Sequence, residues 1–130
     1  MIQETLVLIK PDGVRRRMMG QIITAIESRG LIIEHLELTQ LSKEQAENLY
    51  EEHKGKWYFS RNIKHIISGL VVVIQVKGED AVNRCRSFVK SYREANKDII
   101  KLPHNLVHAT SDASKTTHEL SSVLDLASCT

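Results

Sequence analysis

Leu6-Val7-Leu8-Ile9 runs without a polar interruption straight into Lys10-Pro11-Asp12-Gly13. A β-branched apolar tetrad of this kind has no face to offer water, so it reads as a central strand covered on both sides, closed by a turn. Such a strand requires helical layers, and the rest of the chain supplies them. Met19, Ile22, Ile23 and Ile26 follow a helical stripe, and Gly30 stands where a left-handed residue ends a helix. Leu31 to Leu38 reads as a second strand with a more polar face around Glu34, His35 and Glu37. Ser42-Lys43-Glu44-Gln45 has the form of a capping box, followed by Ala46, Leu49, Tyr50 and His53 on one helical face.

Lys54-Gly55-Lys56 breaks that helix, and Ser60 is placed to cap a short one carrying Ile63, Ile66 and Ile67. Leu70 to Val76 is the clearest strand. Ala81, Cys85, Phe88 and Tyr92 give a further helical stripe, after which Arg93 to His104 shows no periodicity. Leu106 to Ala109 reads as a last short strand, and Leu120, Val123 and Leu124 mark a final helix. The order β-α-β-α-α-β-α-β-α, with helices between strands, predicts an α+β ferredoxin-like sandwich: a four-stranded antiparallel sheet covered by helices.

The 130 residues suit one domain, 1–130, that buries roughly two-thirds of its unfolded surface. At 42% hydrophobic and 26% charged the composition is globular, and the net charge of +2 gives no overall electrostatic mark of a nucleic-acid binder. Arg15-Arg16-Arg17 reads as a solvated helix start. RNA-binding sheets of this fold class display aromatics, and neither Leu31 to Leu38 nor Leu70 to Val76 holds one. No apolar stretch approaches spanning length and no leader pattern opens the chain, so a cytoplasmic protein without membrane association is expected. Cys85 reads as a buried thiol and Cys129 as a tail thiol; two cysteines cannot build a Cys-based structural zinc site.

No glycine-rich phosphate loop of either common pattern occurs, so phosphate chemistry here would fall to side chains. Of six histidines, His108 alone lies inside a short apolar strand just before the polar Thr110-Ser111-Asp112. A nucleophile at a strand end is held rigidly and opens toward loops. Imidazole suits that role, because near neutral pH much of it carries a free lone pair.

Thr5 through Val14, Tyr50 through Lys56, Ser68 through Val72 and Asn105 through Ala109 together resemble the signatures of nucleoside diphosphate kinases, in the family order. The resemblance covers about Thr5 to Leu120. It implies transfer of the γ-phosphate from a nucleoside triphosphate to a nucleoside diphosphate by a ping-pong route, with a phosphohistidine at His108. Glu119 would orient the ring, Lys10 would touch ribose and phosphate, and Tyr50 would stand beside the nucleophile. Arg86 would bind phosphate, Tyr58 would stack on the base, and Asn105 would hydrogen-bond the ribose. Mg2+ would arrive bound to the nucleotide, since no acidic cluster offers several oxygen ligands.

The chain also departs from the family. The loop between Tyr92 and Asn105 is several residues short, and the second phosphate-binding arginine it carries in the family has no counterpart in sequence. Lys97 and Lys101 are the nearby cations, and Tyr92 replaces a phosphate-contacting threonine. These losses leave a catalytically weak or inactive nucleotide-binding regulatory domain as the alternative. The same loop, with a short tail from Leu126 to Thr130, bears on assembly. Family rings use it, whereas family dimers join through the strand matching Leu31 to Leu38, so a homodimer is expected.

Overall fold

The structure, a computed structural model, describes residues 1–124. Four strands, β1 (Ile2–Ile9), β2 (Ile32–Thr39), β3 (Val71–Glu79) and β4 (Val107–Ala109), form one antiparallel sheet in the order β2-β3-β1-β4. This is the ferredoxin-like order. The central pair β1 and β3 holds the longest apolar runs, which places them where both faces are covered.

Alternation along those two strands divides the core. Val7, Ile9, Val72, Ile74 and Val76 point to one side, under α2 (Met19–Ser28) and α5 (Ala81–Ala95). Leu6, Leu8, Val71 and Val73 point to the other, under α3 (Lys43–Leu49), α4 (Phe59–Ile66) and α6 (Thr116–Val123). A one-residue slip of β1 would exchange the two sets, so the register is strongly fixed. Cys85 is a buried free thiol, which burial pushes up to about 11. Cys129 and the 126–130 tail lie outside the described residues.

Several boundaries differ from expectation. The first helical segment is two helices, because Arg17 adopts a positive φ of 60° between α1 (Pro11–Arg15) and α2. Arg15 to Arg17 therefore close α1 instead of opening a helix, where their charge complements its C-terminal dipole. Ser60 lies inside α4 and caps nothing; the cap position is Tyr58, without a side-chain bond. The Ser42–Gln45 capping box is present with both reciprocal bonds, at 2.9 and 3.0 Å. The stretch expected to be irregular from Arg93 is helical through Ala95, because α5 continues one turn beyond its apolar stripe.

The turn after β1 fixes the approach to β4. Lys10 N–H donates to the Leu106 carbonyl at 2.8 Å, and Leu106 N–H donates to Asp12 Oδ2 at 2.9 Å. Leu106 is fully buried with φ of 74°, a conformation that costs a leucine on the order of 1–3 kcal/mol and persists only when its surroundings impose it. Gly13 makes this approach possible. A Cβ there would meet the Leu106 oxygen at 2.5 Å, so only hydrogen fits.

Candidate active site

β4 pairs with β1 so that Leu8 faces His108 and Ile9 faces Val107. Directly opposed residues share a face. Leu8 belongs to the α3, α4 and α6 side, so the pairing sends His108 to that side while Val107 joins the other core. There α6 presents Glu119, nearly fully buried, whose Oε1 lies 2.8 Å from His108 Nε2. Thr110 Oγ1 donates to the same oxygen at 3.1 Å. Tyr50, at the end of α3, sets its ring edge-on to His108 with centroids 6.1 Å apart. Desolvation holds the Tyr50 hydroxyl protonated far above neutral pH, so it is a hydrogen-bond donor and not a base.

His108 and Glu119 line a cleft of about 890 Å³ with Tyr58, Arg86, Arg93 and Lys115 among the other walls. Five lysines and arginines line it against three glutamates, a balance suited to a polyanion. Those glutamates are already engaged. Glu119 holds His108, Glu52 pairs with Lys115 at 2.8 Å, and Glu94 pairs with Lys97 at 3.4 Å. The Lys115 hydrogen bond lowers the Glu52 carboxyl below its ordinary range.

The expected residues fall into two groups. His108, Glu119, Tyr58 and Arg86 reach the cleft. Arg86 donates to the Ser111 carbonyl at 3.1 Å, and the Tyr58 hydroxyl lies 2.7 Å from His53 Nδ1. Trp57, the neighbour of Tyr58, is 82% exposed. Lys10, Tyr50 and Asn105 do not line the cleft. Lys10 is buried and donates to Asn105 Oδ1 at 2.7 Å. Its ammonium is pulled down to about 8, first by desolvation and then by the charge of Arg93.

Arg93, like Lys90 and Lys115, is a cleft cation that sequence reasoning did not single out. It sits in the last turn of α5, and its Nε donates to the Val107 carbonyl at 3.0 Å, with Nη2 on the same oxygen. No carboxylate among the described residues forms an ion pair with it, although desolvation disfavours its charge. The signal was spacing. Arg86, Lys90 and Arg93 stand at i, i+4 and i+7, one helical face, and all three line the cleft. Lys97 and Lys101, the cations nearest in sequence to the missing loop arginine, do not line it.

The family model described as "Nucleoside diphosphate kinase" matches residues 3–128. A protein of that name from Sulfolobus acidocaldarius is 39% identical over 127 residues, covering 92% of this chain and 88% of the relative. Its namesake from Sulfurisphaera tokodaii is 40% identical over 128 residues, covering 92% and 87%. Among solved structures, a Halobacterium salinarum nucleoside diphosphate kinase in complex with CDP superposes with a TM-score of 0.87 at 28% identity, covering 96% of this chain and 89% of that one. The Aquifex aeolicus nucleoside diphosphate kinase gives the same TM-score at 22% identity, covering 96% of each chain, a likeness of fold.

Proposed function

The chain belongs to the nucleoside diphosphate kinase family, and we propose that it carries the γ-phosphate between nucleotides on His108. It is a phosphotransferase of that activity, and nothing favours the regulatory alternative. The observation that carries the assignment of His108 is its bond to a buried glutamate at the wall of a cationic cleft.

Glu119 engages Nε2, which leaves Nδ1 with the lone pair. Nδ1 attacks the γ-phosphorus, the bond to the β-phosphate oxygen breaks, and the nucleoside diphosphate leaves. The Nε2 proton stays on the ring, hydrogen-bonded to Glu119, which stabilises the positive charge that develops there. A second diphosphate reverses the step and regenerates neutral His108. Arg86 and Arg93 bind phosphate oxygens as guanidinium forks, and Lys10 adds its charge from beneath. Tyr58 stacks on the base, and Asn105, outside the cleft wall, holds Lys10 through its Oδ1. Mg2+ enters as part of the nucleotide substrate, because each glutamate of the cleft is already paired and none is left to cage an ion.

Incubation with γ-labelled ATP and Mg2+ should leave one acid-labile, alkali-stable phosphate per chain, released as triphosphate on addition of a diphosphate. Label that survives acid would place the phosphate on an oxygen and remove the histidine mechanism.

The protein acts in the cytoplasm as one domain over 1–130, and as a homodimer. No helix among the described residues is long and apolar enough to cross a membrane. β2 is a sheet edge, and Ile32, Leu36 and Leu38 along it are each at least half exposed. Two such edges pairing about a two-fold axis would cover those side chains and leave no new edge. Sedimentation at micromolar concentration should give about twice the 14.8 kDa chain mass, and Leu36→Lys should give monomers. A stable hexamer would show that the shortened loop is not needed for ring closure, and a wild-type monomer would contradict the pairing.

A further inference from the structure

Three metal-ligand side chains from separate elements meet away from the His108 cleft. Asp12 comes from α1, His65 from the last turn of α4, and His104 from the segment leading to β4. One donor atom from each can be chosen so that all lie within 4.8 Å of one another. Asp12 and His65 are buried, and His104 is exposed at the mouth of a second cleft, of about 640 Å³, that Asp12 also lines.

Phosphoryl transfer at His108 gives this cluster no task. Asp12 Oδ1 lies 3.1 Å from His65 Nε2, and its Oδ2 is fixed by the Leu106 N–H. The His65 and His104 rings approach to 4.0 Å between centroids. His65 Nδ1, by contrast, is buried without any hydrogen-bond partner among the described residues. A buried polar atom left in that state costs about 1–3 kcal/mol, so something should use its lone pair.

We propose that Asp12, His65 and His104 form a binding site for a first-row transition-metal ion of the Zn2+ or Co2+ type. The two imidazoles supply nitrogen ligands, and Asp12 supplies the compensating charge while fixing the His65 ring. Imidazole nitrogens suit these ions, whereas Mg2+ prefers carboxylate, carbonyl and water oxygens. Bonds of about 2.0–2.2 Å place ligand atoms about 3–4 Å apart, so any wider separation within the cluster closes by movement of His104. Its exposed side chain permits that movement. Arg15, Arg16 and Lys101 line the same cleft and oppose a cation, while Asp98 partly offsets them.

The test is titration of the chelator-treated full chain with Co2+, without nucleotide, read by visible absorption. One equivalent should bind with a nitrogen-ligand spectrum, be displaced by Zn2+, and resist a large excess of Mg2+. His104→Ala should weaken binding at least about tenfold while circular dichroism shows an intact fold, and His108→Ala should leave binding unchanged. Absence of binding at about 100 µM Co2+ would overturn the proposal. So would binding that survives His104→Ala, or binding lost in His108→Ala. None of these outcomes depends on the phosphate label at His108, so this site and the transfer mechanism stand or fall separately.

Discussion

His108→Ala is expected to reduce phosphate exchange between ATP and a diphosphate by at least about 10⁴-fold, to the background of uncatalysed transfer. The size follows from the chemistry, since the ring nitrogen forms a bond that no neighbour can form in its place. Tyr50 is the adjacent side chain, and burial keeps its hydroxyl protonated. Glu119→Gln should cost less, about 10²-fold, because an amide can still accept a bond from the ring but carries no charge to stabilise the imidazolium. His35→Ala and His118→Ala should leave exchange intact; His118 only reaches the Asn48 carbonyl and Glu51 at the outer surface. His53→Ala is different. It removes the partner of the Tyr58 hydroxyl, so it should raise KM with little change in kcat. Exchange that persists at the wild-type rate in His108→Ala would end the phosphohistidine reading, whatever the family.

The pattern of these residues shows what a sequence exposes and what it conceals. The β1 strand was legible because an unbroken apolar tetrad has one placement, and β4 because a short apolar run before Thr110 has nowhere else to pair. His108 and Glu119 were legible through the family resemblance; the 2.8 Å bond between them required the fold. Arg93 was hidden by the method itself. Hydrophobic periodicity ends where the apolar stripe ends, at Tyr92, yet α5 continues for another polar turn to Ala95. The shortened loop after it then looked like the site of a lost cation. Asp12 and His65 stayed separate for another reason: they are 53 residues apart, and no local pattern encodes a contact between α1 and α4. Lys10 reads as a cation beside the substrate; the structure buries it with its ammonium bonded to Asn105, a placement no sequence pattern gives.

Arg93→Ala should lower kcat/KM by about 10²–10³-fold, the loss expected when one preorganised charge donor is withdrawn from a developing phosphate charge. Its guanidinium sits beside the strand that carries the nucleophile and has no anionic partner among the described residues, and its Nη1 is left without a bond there. A phosphate is the partner that environment lacks. A purely structural role, holding the Val107 carbonyl, makes a different forecast, because it would weaken all nucleotides alike and lower Tm in proportion. The phosphate role predicts that triphosphate affinity falls while monophosphate affinity does not. Arg93→Lys should recover part of the rate, since it keeps the charge but not the fork. The pH profile gives a second readout. Arg93 depresses the Lys10 ammonium, so its removal moves that group upward from about 8 toward the ordinary lysine range, with desolvation still acting. If charged Lys10 is needed, activity falls as pH rises through that value, and the alkaline limb should shift to higher pH in Arg93→Ala. Lys97→Ala and Lys101→Ala, which alter cations outside the cleft, should change kcat/KM by no more than about threefold. Unchanged kcat/KM in Arg93→Ala, with an unmoved alkaline limb, would return the second phosphate cation to the list of things this short chain does without.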